Sequence, residues 1–108
     1  LLKITCIICI SVPTAAQKWI WRKKMLHELK IYPIYFNDIL KNNKNFEVRK
    51  NDRLYEVGDY LLLREFLPAD EYTGKEILVK VLYVYRGELC LQDHCIMAIE
   101  VLDWWKVR

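Results

Sequence analysis

Residues 35–59 read YFNDILKNNKNFEVRKNDRLYEVGD, and the fold turns on how that stretch is parsed. An apolar-faced helix runs into Asn42-Asn43, a strand dense in charge follows, and Gly58-Asp59 makes a turn. Lys44, Glu47, Arg49, Lys50, Asn51, Asp52 and Arg53 lie within ten residues, four of them cationic and two anionic. Phe46 and Val48 alternate with Glu47 and Arg49. Strand geometry of period two therefore predicts Phe46 and Val48 buried, with Glu47 and Arg49 on the opposite face. Function is expected on that charged face and at the helix–strand junction that supplies Lys44.

Working outward, Leu26 to Ile31 reads as a first strand. Pro33 suits the first turn of a helix, where its missing N–H costs nothing. Phe36, Ile39 and Leu40 then form one apolar stripe at i, i+3, i+4 spacing. Asn42-Asn43 ends the helix, asparagine being the best residue after glycine for the left-handed position past a helix end. Asn45 to Lys50 is the second strand, Asn51-Asp52-Arg53 a turn or bulge, and Tyr60 to Phe66 the third strand. Pro68 to Gly74 reads as a polar loop. Lys75 to Tyr85 is a long strand, apolar on both faces except at Lys80, and so is expected at the centre of the sheet. Gly87 to His94 is a loop, Cys95 to Leu102 the last strand, and Asp103 to Arg108 a tail with two tryptophans. Five strands and one helix without strand–helix alternation predict an α+β, mainly β chain: a small mixed barrel whose helix covers one opening.

The 108 residues make one domain, and 54% hydrophobic with 13% aromatic content is enough for one core. The net charge of +3 is unevenly placed. Residues 1–25 hold Lys3, Lys18, Arg22, Lys23 and Lys24 and no acid, which leaves twelve basic and fourteen acidic residues beyond Met25, a net charge of −2. Bulk attraction to a polyanion is thereby excluded, and any nucleic-acid contact has to come from a local patch. Residues 1–24 are foreign in composition and read as an atypical extension, with 25–108 as the domain and Met25 as its natural start. An added strand or helix on the barrel, or a signal peptide, are the competing readings of that leader. Its apolar run at residues 4–12 is too short to span a bilayer. Cys6, Cys9, Cys90 and Cys95 do not mark a disulfide scaffold, and reduced thiols in a cytoplasm are expected.

Several motifs carry a resemblance. Lys44-x-x-Glu47-x-Arg49 behind an amphipathic helix, followed by Val57-Gly58-Asp59, resembles the ASCH domain of the PUA-like superfamily. His27-Glu28-Leu29-Lys30, Glu47 to Arg53 and Tyr72-Thr73-Gly74-Lys75 are similar to a small branch of it found in phages and bacterial mobile elements. The resemblance runs from about Met25 to Leu102. It implies a compact PUA-like barrel and a link to RNA or nucleotides, without a particular activity. One group in the superfamily hydrolyses the acyl amide of N4-acetylcytidine. Its lysine falls at Lys44 and its arginine at Arg49, but its threonine nucleophile falls at Glu47, and its catalytic glutamate lies in an insertion that the short Gly87–His94 loop lacks.

Each constellation has a bland alternative. Lys44, Glu47 and Arg49 read as a polar pocket in which the cations take a phosphate or carbonyl and Glu47 orients Arg49 or accepts a proton. From spacing alone a solvated ion pair of about 0–1 kcal/mol is the better reading, and the resemblance tips the balance to the pocket. Lys50, Asn51, Asp52 and Arg53 read as a loop touching a phosphate backbone, or as a charged turn. Most of the seven tyrosines are expected at the core edge with the hydroxyl outward, and Tyr72 is the best candidate for stacking on a base. His27 is a possible base in the pocket or a satisfied strand histidine. Cys6 and Cys9 with Cys90, His94 and Cys95 lack zinc-knuckle spacing, so no metal or other cofactor is expected. The leading reading is a module that binds RNA or a modified nucleotide in a cleft lined by His27, Lys30, Lys44, Glu47, Arg49, Lys50, Arg53 and Tyr72, without membrane attachment. The rival is a small amidohydrolase on an acylated cytidine-type nucleoside, with Lys44 and Glu47 catalytic. A phage accessory module for protein interaction, needing no pocket, is the third. The sequence leaves open whether the chain is an enzyme, and its oligomeric state.

Overall fold

A computed structural model describes residues 24–69 and 71–107. The readings made for residues 1–23, including Cys6 and Cys9, lie outside the described residues. The elements run β1 (Leu26–Ile31), α1 (Pro33–Leu40), β2 (Phe46–Lys50), β3 (Tyr60–Leu67), β4 (Glu71–Tyr85) and β5 (His94–Lys106). The strands form one mixed sheet in the order β1-β3-β4-β5-β2, with β1 parallel to β3 and the other pairs antiparallel. The sheet curls into a half-barrel, and the chain is mainly β with one helix. As expected of its two-faced apolar pattern, β4 is the central strand.

The core is built by alternation. Leu29 and Ile31 of β1, Leu61 and Leu63 of β3, Ile77, Val79 and Val81 of β4, and Cys95, Met97 and Ile99 of β5 point into the curl and are buried. Helix α1 lies against β3 and adds Phe36 and Ile39 from its apolar stripe. Pro33 stands at the helix start. At the other end Asn42 takes φ 62°, and Asn43 N–H bonds Asp38 O at 2.9 Å while Asn42 N–H bonds Ile39 O at 3.0 Å. This is a Schellman ending, with asparagine in the left-handed place usually taken by glycine.

Two boundaries differ from expectation. The Pro68–Gly74 segment is not all loop, because β4 already begins at Glu71 and pairs Tyr72 with Phe66. The glycine that suggested a loop has φ 92° within the strand, where Val107 of the next strand's end crowds it and leaves no room for a Cβ. The tryptophan tail is likewise strand. β5 continues to Lys106, pairing Trp104 with Ile77 and Trp105 with Glu76, and the Trp105 indole donates to Glu76 Oε1 at 2.7 Å.

Candidate functional site

The phase of β2 is the reverse of the one expected. Glu47 is 3% exposed, while Phe46 and Val48 are 42% and 46% exposed. The cause is register. Among the described residues β2 is an edge strand paired with β5 alone, and that ladder sets Glu47 opposite Met97 and Arg49 opposite Cys95. Met97 and Cys95 face the core, so their partners do too, and Phe46 and Val48 are carried outward with Ala98 and Ile96.

An inward carboxylate in a small core is tolerated only when satisfied. Glu47 Oε1 accepts from Lys44 Nζ at 2.6 Å and Oε2 from Arg49 Nε at 2.8 Å. Lys44 reaches it from the turn after α1 and also donates to Phe46 O at 2.7 Å, with the Tyr35 ring 5.5 Å away. Arg49 Nη2 in turn donates to Lys30 O on β1 at 2.7 Å. These residues wall a cavity of about 430 Å³ whose lining also includes Lys30, Tyr32 and Tyr35. The size is that of an ordinary small-molecule site.

Arg49 also bridges the two sheet edges. Among the described residues β1 and β2 are the outermost strands, and side chains rather than a backbone ladder tie β1 to β2 and the segment after it: Arg49 to Lys30 O, and Arg53 Nη1 to Glu28 O at 3.1 Å. On the other side of Lys30 and Arg49 lies a second cavity of about 420 Å³, lined by Glu28, Arg53, Arg64 and Tyr72 among others.

The remaining expected site residues are placed as follows. Lys30, Arg53 and Tyr72 line the second cavity. Lys50 is exposed at the end of β2, outside both cavities. Asn51 is held by Arg86, whose Nε donates to its Oδ1 at 3.2 Å. His27 lies in neither cavity. It is buried, its Nε2 donates to Asp59 Oδ2 at 3.0 Å, and its ring lies 4.8 Å from that of Tyr55. Asp59 also accepts from the N–H groups of Met25 and Glu56, so this histidine ties the start of β1 to the Gly58 turn. Burial raises the Tyr55 hydroxyl and the Cys95 thiol above their ordinary pKa values. Among the described residues no group of three or more His, Cys, Asp or Glu side chains converges as a metal site would require.

Arg64 and Tyr35 were not singled out from the sequence. Arg64 reaches the site because β1 and β3 pair in parallel with Lys30 opposite Arg64, and nothing local to residue 64 announces that pairing. Tyr35 is one of the seven tyrosines that could stack on a base, with nothing in the sequence to mark it above the others.

Residues 26–99 match the family described as Domain of unknown function (DUF3850). The chain belongs to that family. The DUF3850 match opens on β1 and closes inside β5, so both cavities and every candidate site residue fall within it. The chain is also similar to the protein called "Uncharacterized 12.9 kDa protein in GpA 3'region" of Escherichia phage P2, 33% identical over 72 residues. That similarity covers 67% of this chain and 65% of the phage protein, so the chain spans a little under two thirds of that relative's length. A small family with phage members is thus supported.

Proposed function

We propose that this DUF3850 domain is a binding module that holds RNA or a modified nucleotide in the cleft walled by Lys44, Glu47 and Arg49. The observation that carries the reading is the buried Glu47 carboxylate held between an ammonium and a guanidinium on the wall of an open cavity. Such an array offers donors in fixed positions, Lys44 and Arg49 being oriented by Glu47, which suits the acceptor oxygens of a base or its sugar. Arg49 uses Nε and Nη2 on protein acceptors and keeps further N–H donors for a ligand. Tyr32 and Tyr35, about half exposed on the cavity rim, supply rings for stacking. The likeness of these motifs to ASCH domains of the PUA-like superfamily supports the same reading. A concave site also favours a ligand over the flat, salt-bridged face that a pure protein-interaction module would present.

The amidohydrolase reading has one observation in its favour, the Lys44–Glu47 pair 2.6 Å apart inside a cavity. Against it, both carboxylate oxygens are already engaged, so a water or substrate proton would compete with Lys44 and Arg49 for Glu47. Titration with cytidine, N4-acetylcytidine and a short RNA, run beside a turnover assay on the acetylated nucleoside, separates the readings. Binding without turnover, weakened in Arg49→Ala, is the expected result. Turnover abolished in Glu47→Gln supports the enzyme, and no binding with no turnover removes the support for both.

A further inference from the structure

The second cavity differs from the first in how its charge is held. Two aromatic rings of the β3–β4 hairpin, Phe66 and Tyr72, pack edge to face at 5.3 Å. The Lys30 ammonium sits over Phe66 at 4.4 Å, and the Arg64 guanidinium over Tyr72 at 4.0 Å. Rings position a cation without neutralising it. Among the described residues neither Lys30 nor Arg53 is ion-paired with a carboxylate. Glu28 is the one acid on the wall, and it is largely exposed and 3.8 Å from Arg64. Of the four cations around this cavity of about 420 Å³, Arg49 is paired with Glu47 and Arg64 with Glu76, so Lys30 and Arg53 carry the charge that no carboxylate answers among the described residues, in a domain whose net charge is negative beyond Met25.

The guanidinium groups are also fixed in place. Arg49 and Arg53 are anchored to the carbonyls of Lys30 and Glu28, two residues apart on one strand edge, which sets the anchors roughly 6.6 Å apart. Arg64 is anchored through Nε to Glu76 Oε2 at 2.9 Å. Each keeps further N–H groups, and planar guanidinium forks match the oxygens of a phosphate. Tyr72, expected to stack a base, instead carries a cation on its face.

We infer that this second cavity is a phosphate subsite, so that the ligand of the cleft is a nucleotide or an RNA phosphodiester and not a free nucleoside. The inference rests on the nucleotide reading of the neighbouring cavity, with which it shares Lys30 and Arg49. The base and sugar lie against Lys44, Glu47 and Tyr35, and the phosphate crosses the Lys30–Arg49 divide to meet Arg53 and Arg64.

Calorimetric titration of the full chain at fixed low salt tests this, with cytidine, cytidine 5′-monophosphate and a short oligocytidylate as probes. The parent, Arg53→Gln and Arg64→Gln are compared, each first shown to melt cooperatively. The expected result is that phosphate tightens binding by roughly tenfold or more over cytidine, and that this ratio falls towards one in both variants. Tightening by the monophosphate points to a free nucleotide, and tightening by the oligonucleotide alone to an RNA chain. Equal affinity for all three probes, or a ratio that survives in both variants, overturns the subsite and leaves the cleft reading standing. Absence of binding by every probe overturns both.

Discussion

Glu47 has both carboxylate oxygens engaged by cations, Lys44 and Arg49, that are themselves only partly exposed. Removing it leaves two charges facing each other across the cavity wall without their counter-ion, which is costlier than losing a surface pair. Glu47→Ala is expected to cost about 1.5–3 kcal/mol of stability, read by urea denaturation. Glu47→Gln keeps one acceptor and should cost less. Arg49→Lys keeps the charge but gives up the fork that reaches both Glu47 and Lys30 O, so it should weaken both ligand binding and stability rather than restore either. Tyr55 and Cys95 bear on pH. Both are acids whose folded pKa is raised by burial, so the folded state holds their protons more tightly than the unfolded chain does. Their contribution is complete below the unfolded pKa values, about 8.5 for cysteine and about 10 for tyrosine, and is lost as pH rises through the folded values. Melting temperature should therefore fall above about pH 9, and fall less steeply in the double variant Tyr55→Phe, Cys95→Ala.

The end of α1 shows what an element owes to a single position. Asn42 is left-handed at φ 62°, so Asn42→Gly should be neutral or slightly stabilising, whereas Asn42→Val should cost about 1–2 kcal/mol, measured by thermal melts. That ending was legible in the sequence because its cause is local, as were Pro33 at the helix start and the limits of β1. The phase of β2 was not. Within FEVRK the apolar residues are the natural inward set, and only the ladder to Cys95 and Met97 on β5 reverses them. The same holds for the tryptophans of β5, which look like a tail until β4 is seen to extend far enough to pair with them. For the site, the Lys44–Glu47–Arg49 cluster was legible as a constellation of charge in one short stretch. The second cavity was not, because it requires the parallel pairing of β1 with β3 that brings Arg64 beside Lys30. His27 takes the second of its two readings, a satisfied strand histidine, but its partner Asp59 lies 32 residues away in sequence and nothing local names it.

At the scale of the whole molecule, the half-barrel formed by the described residues is open between β1 and β2, and two arginines cross the gap where a full barrel would have a ladder. Each such bond, donated by a charged guanidinium, contributes about 1.5–3 kcal/mol, and two of them stand where the other strand pairs have a continuous ladder, so the seam is expected to be the most weakly held part of the sheet. Hydrogen exchange should be slowest for amides of β4, paired on both sides, and faster on β1 and β2. The opening is also where both cavities lie, so the incomplete closure of the sheet creates the cleft proposed to hold the ligand. The most direct test is an amide-resolved NMR titration of the full chain with cytidine 5′-monophosphate and a short single-stranded RNA at low salt. The expected result is saturable shifts confined to Lys30 through Tyr35, Lys44 through Arg53, and the Arg64 and Tyr72 region, reduced in Arg49→Ala. Shifts gathered elsewhere on the molecule, or none at millimolar ligand, would contradict a nucleotide site in the seam.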